Sequence, residues 1–289
     1  MKAFPLPLVA LGPGSHSEDE SLDYLPLPKD MATYRPPVLP EPEELVGREP
    51  ARAVLEQVLA LLDSCALDGV PGRVSLAGLA VADIALVNQA LGEGEASAIV
   101  SDLDGEGELQ VQESVFAGVW RLLTWRGGRL VDDAIEVAPV PSCFATIAAE
   151  DVWPLGAMPQ WQGALPPQVQ NAPLLIDEIR DQSARWVPGD GSHVVNLSLL
   201  PVTPEDIGFL DHHLGTGRLL MLSRGYGNCR ISNTRLPNCW RVVYYNAMDK
   251  VILNTVEVVD MPEVAMAAPE DLRESHTRLS DVLAYLEAA

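Results

Sequence analysis

The chain has 289 residues, a length for about two domains, with the 47% hydrophobic and 21% charged residues of an ordinary globular protein. Its 41 acidic and 19 basic residues leave a formal charge of −22. That charge repels nucleic-acid phosphate and anionic lipid and attracts basic segments of other proteins, so neither nucleic acid nor membrane is an expected partner.

Residues 1–46 hold nine of the 24 prolines and the acidic cluster Glu18, Asp19, Glu20 and Asp23. Proline removes amide donors and fixes φ, so an extended arm is expected there. Its first residues, with Pro5 and Pro7, lack the pattern of a secretory signal. A helix is expected near 50–64 and a strand over Val74–Leu76. A second helix follows, with Ile84, Val87 and Leu91 as its apolar stripe and Gly92 as its stop. Strands are expected over Ala98–Leu103, over Leu109–Trp125 with a break near Gly118, and over Arg129–Val137. The Gly127-Gly128 pair reads as a hairpin turn.

The order then recurs after a Pro/Trp-rich linker, 151–172. A helix is expected near 173–186 and a strand over Val194–Leu199. In the next helix Thr203 is the N-cap, Pro204 is N1, and Gly215 takes the left-handed C′ position. Strands over Leu219–Ser223, Cys229–Thr234, Trp240–Tyr245 and Val251–Val258 follow, and a helix from Pro269 to about Leu286 closes the chain. A shift of 123 lays Asp83-Ile84 on Asp206-Ile207 and Leu91-Gly92 on Leu214-Gly215. A shift of 120 lays Trp120-Arg121 on Trp240-Arg241, and one of 121 lays Glu136-Val137 on Glu257-Val258. The reading is α+β: an extended N-terminal arm and two tandem copies of a helix-strand-helix-antiparallel meander, 47–150 and 173–289, related by pseudo-twofold symmetry.

Sites of chemistry are few. No phosphate loop, dinucleotide fingerprint, zinc helix or nucleophile elbow occurs, so no catalytic residue, metal or cofactor is expected. His212 and His213 are adjacent on a helix and point about 100° apart, which rules out a shared metal. No run of 18 apolar residues occurs, so no membrane insertion is expected. The four cysteines lack C-x-x-C spacing and read as reduced thiols of a cytoplasmic protein. Glu93 and Glu95 flank Gly94 just past a helix C-terminus, where the dipole disfavours them. That cost marks a candidate partner contact. Trp120 and Trp240, at matching positions, are either core residues or aromatics of a binding face. Gly225-Tyr226-Gly227 is a turn between strands and a further candidate contact.

These residues also carry a resemblance. Leu11-Gly12-Pro13-Gly14-Ser15, Leu91-Gly92-Glu93-Gly94-Glu95, Gln112-Glu113-Ser114-Val115-Phe116, Gly225-Tyr226-Gly227, Pro262-Glu263-Val264 and Ala267-Ala268-Pro269-Glu270-Asp271-Leu272 stand in one order. In that order they resemble the HupH/HyaF family of hydrogenase expression/formation proteins. The resemblance implies a non-enzymatic accessory protein of membrane-bound [NiFe] hydrogenase maturation. It implies two partners, the small iron–sulfur subunit precursor before twin-arginine export and a thioredoxin-like accessory protein. Alternatives remain: an Fe–S or metal carrier using Cys229 and Cys239, or an adaptor joining the thioredoxin-like partner to the hydrogenase.

Overall fold

The structure, a computed structural model, describes residues 47–288 except Asp104, Leu155 and Tyr226. The expected arm, 1–46, lies outside the described residues. The chain divides into two compact units. One takes the described residues up to Phe144 together with Glu263 onward, and the other takes Ala145–Pro262.

The first unit opens with helix α1, Glu49–Asp68. Its buried Ala51, Val54, Leu55, Val58, Leu62 and Cys65 recur at helical spacing, and left-handed Gly69 ends it by donating its N–H to Cys65 O. Strand β1 (Gly72–Ser75), helix α2 (Val81–Leu91) and strands β2 (Ala96–Leu103), β3 (Gly107–Glu113), β4 (Val119–Arg126) and β5 (Arg129–Val137) follow. The strands pair in the order β1-β5-β4-β3-β2, every pair antiparallel. Gly127 and Gly128 turn β4 into β5 with φ of 52° and 74°, the two positive angles a tight hairpin requires. Helix α3, Cys143–Glu150, crosses the division between the units and was not expected.

The second unit contains α4 (Ala172–Arg185), β6 (His193–Asn196), α5 (Pro204–Leu214), β7 (Leu219–Ser223), β8 (Asn228–Asn233), β9 (Cys239–Tyr245) and β10 (Val251–Val258). Its strands pair in the order β6-β10-β9-β8-β7, again all antiparallel. Thr203 caps α5 as expected, and Asp206 at N3 completes a reciprocal capping box. Gly215 departs from its expected conformation. Its φ is 67° but its ψ is 168°, and Gly92 behaves alike at 61° and −170°. The chain leaves each helix straight toward a strand, through a region of φ/ψ that is essentially glycine's alone.

The same backbone hydrogen bonds occur inside each unit. Gly94 N donates to Glu113 O, and Gly217 N to Asn233 O. Ser114 N donates to Val119 O, and Thr234 N to Cys239 O. Val115 N donates to Leu91 O, and Arg235 N to Leu214 O. The Ser114 and Thr234 hydroxyls each accept from the amide two residues on, that of Phe116 and Leu236.

The closing helix α6, Pro269–Ala288, was expected to complete the second copy. It belongs to the first unit instead. Leu272, Leu279, Leu283 and Leu286 join Leu55, Val58, Leu62 and Phe116 in that unit's core. The contact is close at Gly118, whose φ is 78° and whose missing Cβ leaves the space that the Leu272 side chain fills. The second unit's core gathers Ile176, Ile179, Leu210, Leu214, Val256 and Val258. The Pro/Trp segment is part of that packing, through Trp153, Met158, Trp161 and Val169.

Candidate functional site

The α2–β2 loop is shaped by its glycines. A Cβ on Gly94 would collide with the carbonyl of Ser114, so only glycine lets the loop lie against the end of β3. Gln112 Nε2 fastens it there by donating to Gly94 O at 3.2 Å and Ala96 O at 3.1 Å. Glu93 and Glu95 stay exposed on either side.

Beneath this loop lies Glu113, which sequence reasoning quoted but assigned no role. Its Oε1 accepts from Gly118 N at 3.1 Å. Burial pushes its carboxyl up to about 7, and the negative charges of Glu95 and Asp271 push the same way, against the Gly118 bond. The carboxyl therefore changes charge near neutral pH. Nothing in a single sequence signals this, because it arises from groups brought together by the fold.

Trp120 and Trp240 are core residues, 1% and 2% exposed. The binding-face alternative fails for these side chains, because each indole is enclosed and its N–H is already used. Trp120 Nε1 donates to Ala138 O at 2.9 Å, and Trp240 Nε1 to Asp260 O at 3.0 Å. Gly225 and Gly227 flank the β7–β8 turn, Gly227 with φ of 101°; Tyr226 between them lies outside the described residues. The turn is not close to Trp240. The register pairs Asn228 with Tyr245 and Asn233 with Trp240, so about 16 Å of strand separates them.

The same register separates Cys229 from Cys239. Cys229 faces Tyr244, five positions along β9 from Cys239, again about 16 Å. Two thiolates on one metal stand no more than about 5 Å apart. Both side chains are buried, and burial pushes both thiols up to about 12. The pair therefore cannot act together as ligands in this fold. Among the described residues no three His, Cys, Asp or Glu side chains converge to hold a metal ion.

Two buried acids organise the second unit. Asp151 accepts from Arg218 N at 2.6 Å, Arg218 Nε at 2.5 Å and Asn233 Nδ2 at 2.9 Å. Asp206 Oδ1 accepts from the backbone N–H groups of Gln170, Asn171 and Ala172, and its Oδ2 from Thr203 N. Burial alone would raise the Asp206 pKa, but these four donors outweigh it and hold the carboxyl below its ordinary range.

A groove of about 500 Å³ opens between α5 and the Pro/Trp segment, lined by Trp161, Pro166, Glu205, Gly208, Phe209 and His212 among others. Trp161 meets Phe209 and His213 edge-on, at ring-centre distances of 5.6 and 5.4 Å. His213 Nδ1 donates to Phe209 O at 2.8 Å, and burial lowers the ring's pKa, so the imidazole is neutral at pH 7. The tryptophan in a proline-rich stretch was the sequence's hint of packing, but the groove depends on long-range docking.

Helices against antiparallel sheet, with a carboxylate-edged loop in one unit and an aromatic groove in the other, define a mixed α and β protein. The profile of the HupH hydrogenase expression protein, C-terminal conserved region, matches residues 49–154 and 169–286. The chain is 48% identical over 288 residues to the hydrogenase expression/formation protein HoxQ of Cupriavidus necator, covering 99% of each chain. It is 45% identical to the hydrogenase expression/formation protein HupH of Rhodobacter capsulatus, covering 97% of each. A solved structure of the hydrogenase expression protein HupH from Thiobacillus denitrificans matches 40% of this chain and 97% of its own, at 27% identity and a TM-score of 0.38. The chain belongs to the HupH family of hydrogenase expression/formation proteins. No described helix is long and apolar enough to cross a membrane.

Proposed function

We propose that this protein is a cytoplasmic accessory chaperone for maturation of a membrane-bound [NiFe] hydrogenase. It holds the small-subunit precursor before twin-arginine export, beside a thioredoxin-like partner, and carries out no reaction itself. Family membership over nearly the whole chain is the observation that carries this reading, since relatives of the same length are named hydrogenase expression/formation proteins. The charge of −22 supports the choice of client, because a precursor with a basic signal segment meets an acidic body faster and with less competition from acidic proteins. Glu93, Gly94 and Glu95, with the Gly225–Gly227 turn, are the contacts proposed for it.

The body is read as two tandem copies related by pseudo-twofold symmetry. Supporting this are the family profile's match to two segments, the common strand order, and the recurring Gly94/Gly217 and Ser114/Thr234 hydrogen bonds.

The test is capture of purified precursor by the full chain at low and high salt. Capture that weakens as salt rises supports the reading. Equal capture of the subunit with and without its signal segment removes the electrostatic part, and no capture at either salt removes the chaperone role.

A further inference from the structure

We propose that the groove between α5 and the Pro/Trp segment is a docking site for an extended, positively charged peptide segment of a partner protein. The proposal rests on the chaperone reading above and assigns it a second contact surface.

Gly208 stands in the middle of α5, exposed, where glycine is the poorest helix former after proline. The fold does not demand it. Nothing lies within 4 Å of the place its Cβ would take, and its φ is not positive. The residue 123 positions earlier, at the corresponding place in α2, is Ala85, so a helix of the other unit carries a Cβ there. What a glycine supplies at this point is a bare backbone on the groove floor, where a second chain can come close.

The walls have a shape and stiffness suited to a guest chain. Prolines and the Trp161 and Phe209 rings form an open apolar slot, the kind of surface that accepts an extended chain without hydrogen-bonding its whole backbone. The walls are fixed before any partner arrives. Arg180 Nη2 donates to Pro159 O at 2.7 Å, and Thr203 Oγ1 to Gln168 O at 3.0 Å. A site already ordered loses less entropy on binding.

Charge selects the guest. Glu205 lies three residues before Gly208, on the same helix face, and no lysine or arginine is among the described residues lining the groove; the cation beside it, Arg180, has its Nη2 bonded to Pro159 O and His213 O. Burial lowers the His213 pKa, so its ring adds little positive charge, and the half-buried Trp161 and Phe209 rings are of the aromatic type that attracts guanidinium or ammonium groups. An acidic segment would meet Glu205 and the field of a −22 chain, whereas a basic one is favoured by both.

The experiment uses the full chain and two short fluorescein-labelled peptides, one of arginine, leucine and alanine, the other with glutamate for arginine. Fluorescence anisotropy is read with wild type, Gly208→Ala, Gly208→Leu and Glu205→Gln, beside the melting temperature of each. The basic peptide is expected to bind and the acidic one not. Gly208→Leu is expected to weaken binding by about tenfold or more while its melting temperature holds or rises, because leucine is the better helix former. Gly208→Ala is expected to raise the melting temperature and weaken binding less. Glu205→Gln is expected to weaken it a few-fold. Equal binding by wild type and Gly208→Leu, or equal binding of both peptides, overturns the proposal. Precursor capture in parallel separates the two readings. If wild type captures no precursor, the chaperone reading fails. If wild type captures precursor and Gly208→Leu captures it equally, only the groove fails.

Discussion

Glu113 shows how far one residue's chemistry depends on its surroundings. Its carboxyl is pushed up to about 7, first by burial and then by Glu95 and Asp271. The folded state therefore holds the proton more tightly than the unfolded chain. The stability that this gives is fully present below about pH 4.5 and is lost as pH rises through about 7. The expected outcome is a wild-type stability that falls by about 1–2 kcal/mol between pH 6 and 9, against a Glu113→Gln variant whose profile is flatter over that range. Urea titrations across pH measure it; parallel profiles for the two proteins would contradict the assignment. None of this was legible in the sequence, where Glu113 is one of 41 acidic residues. The two tryptophans were half legible. Their equivalence could be read from spacing, but their enclosure, with the indole N–H groups bonded to Ala138 O and to the Val259 and Asp260 carbonyls, required the packed strands.

At the scale of elements, Asp206 joins two helices. It completes the capping box of α5 and receives three backbone N–H groups at the start of α4. Asp206→Ala orphans all of these donors, and a loss of about 2–4 kcal/mol is expected, more than a single cap gives. Its depressed pKa fixes the sign of the pH effect. The contribution is present above the ordinary aspartate value of about 3.9 and is lost as pH falls through the lower folded value. Chemical denaturation of Asp206→Ala at pH 7 checks the magnitude; a cost no larger than that of an exposed aspartate would contradict the double-cap role. The start of α5 was legible because caps are short-range signals, as Thr203 and Pro204 show, whereas the end of α1 at Gly69 was not. Helix α3, the eight residues Cys143–Glu150 after Pro139 and Pro141, was not expected. The destination of α6 was also hidden. Its leucine stripe announces a buried face but not which core receives it, and the Gly118–Leu272 contact that decides this joins residues half the chain apart.

For the whole molecule, the sequence showed the mixed fold and the family clearly, because strand order and motif order are carried along the entire chain. The groove was invisible, since Trp161 and Gly208 line one groove only after the Pro/Trp segment docks on α5. The central claim is that an acidic body with exposed loop carboxylates and an aromatic groove handles an unfinished hydrogenase subunit. Crosslinking with mass spectrometry on the complex of full chain and small-subunit precursor tests this most directly. Crosslinks are expected from the precursor's basic signal segment to the α2–β2 loop around Glu93 and Glu95 and to the α5 groove around Glu205. A stable complex whose crosslinks avoid both surfaces, or no complex with the precursor at low salt, would contradict it.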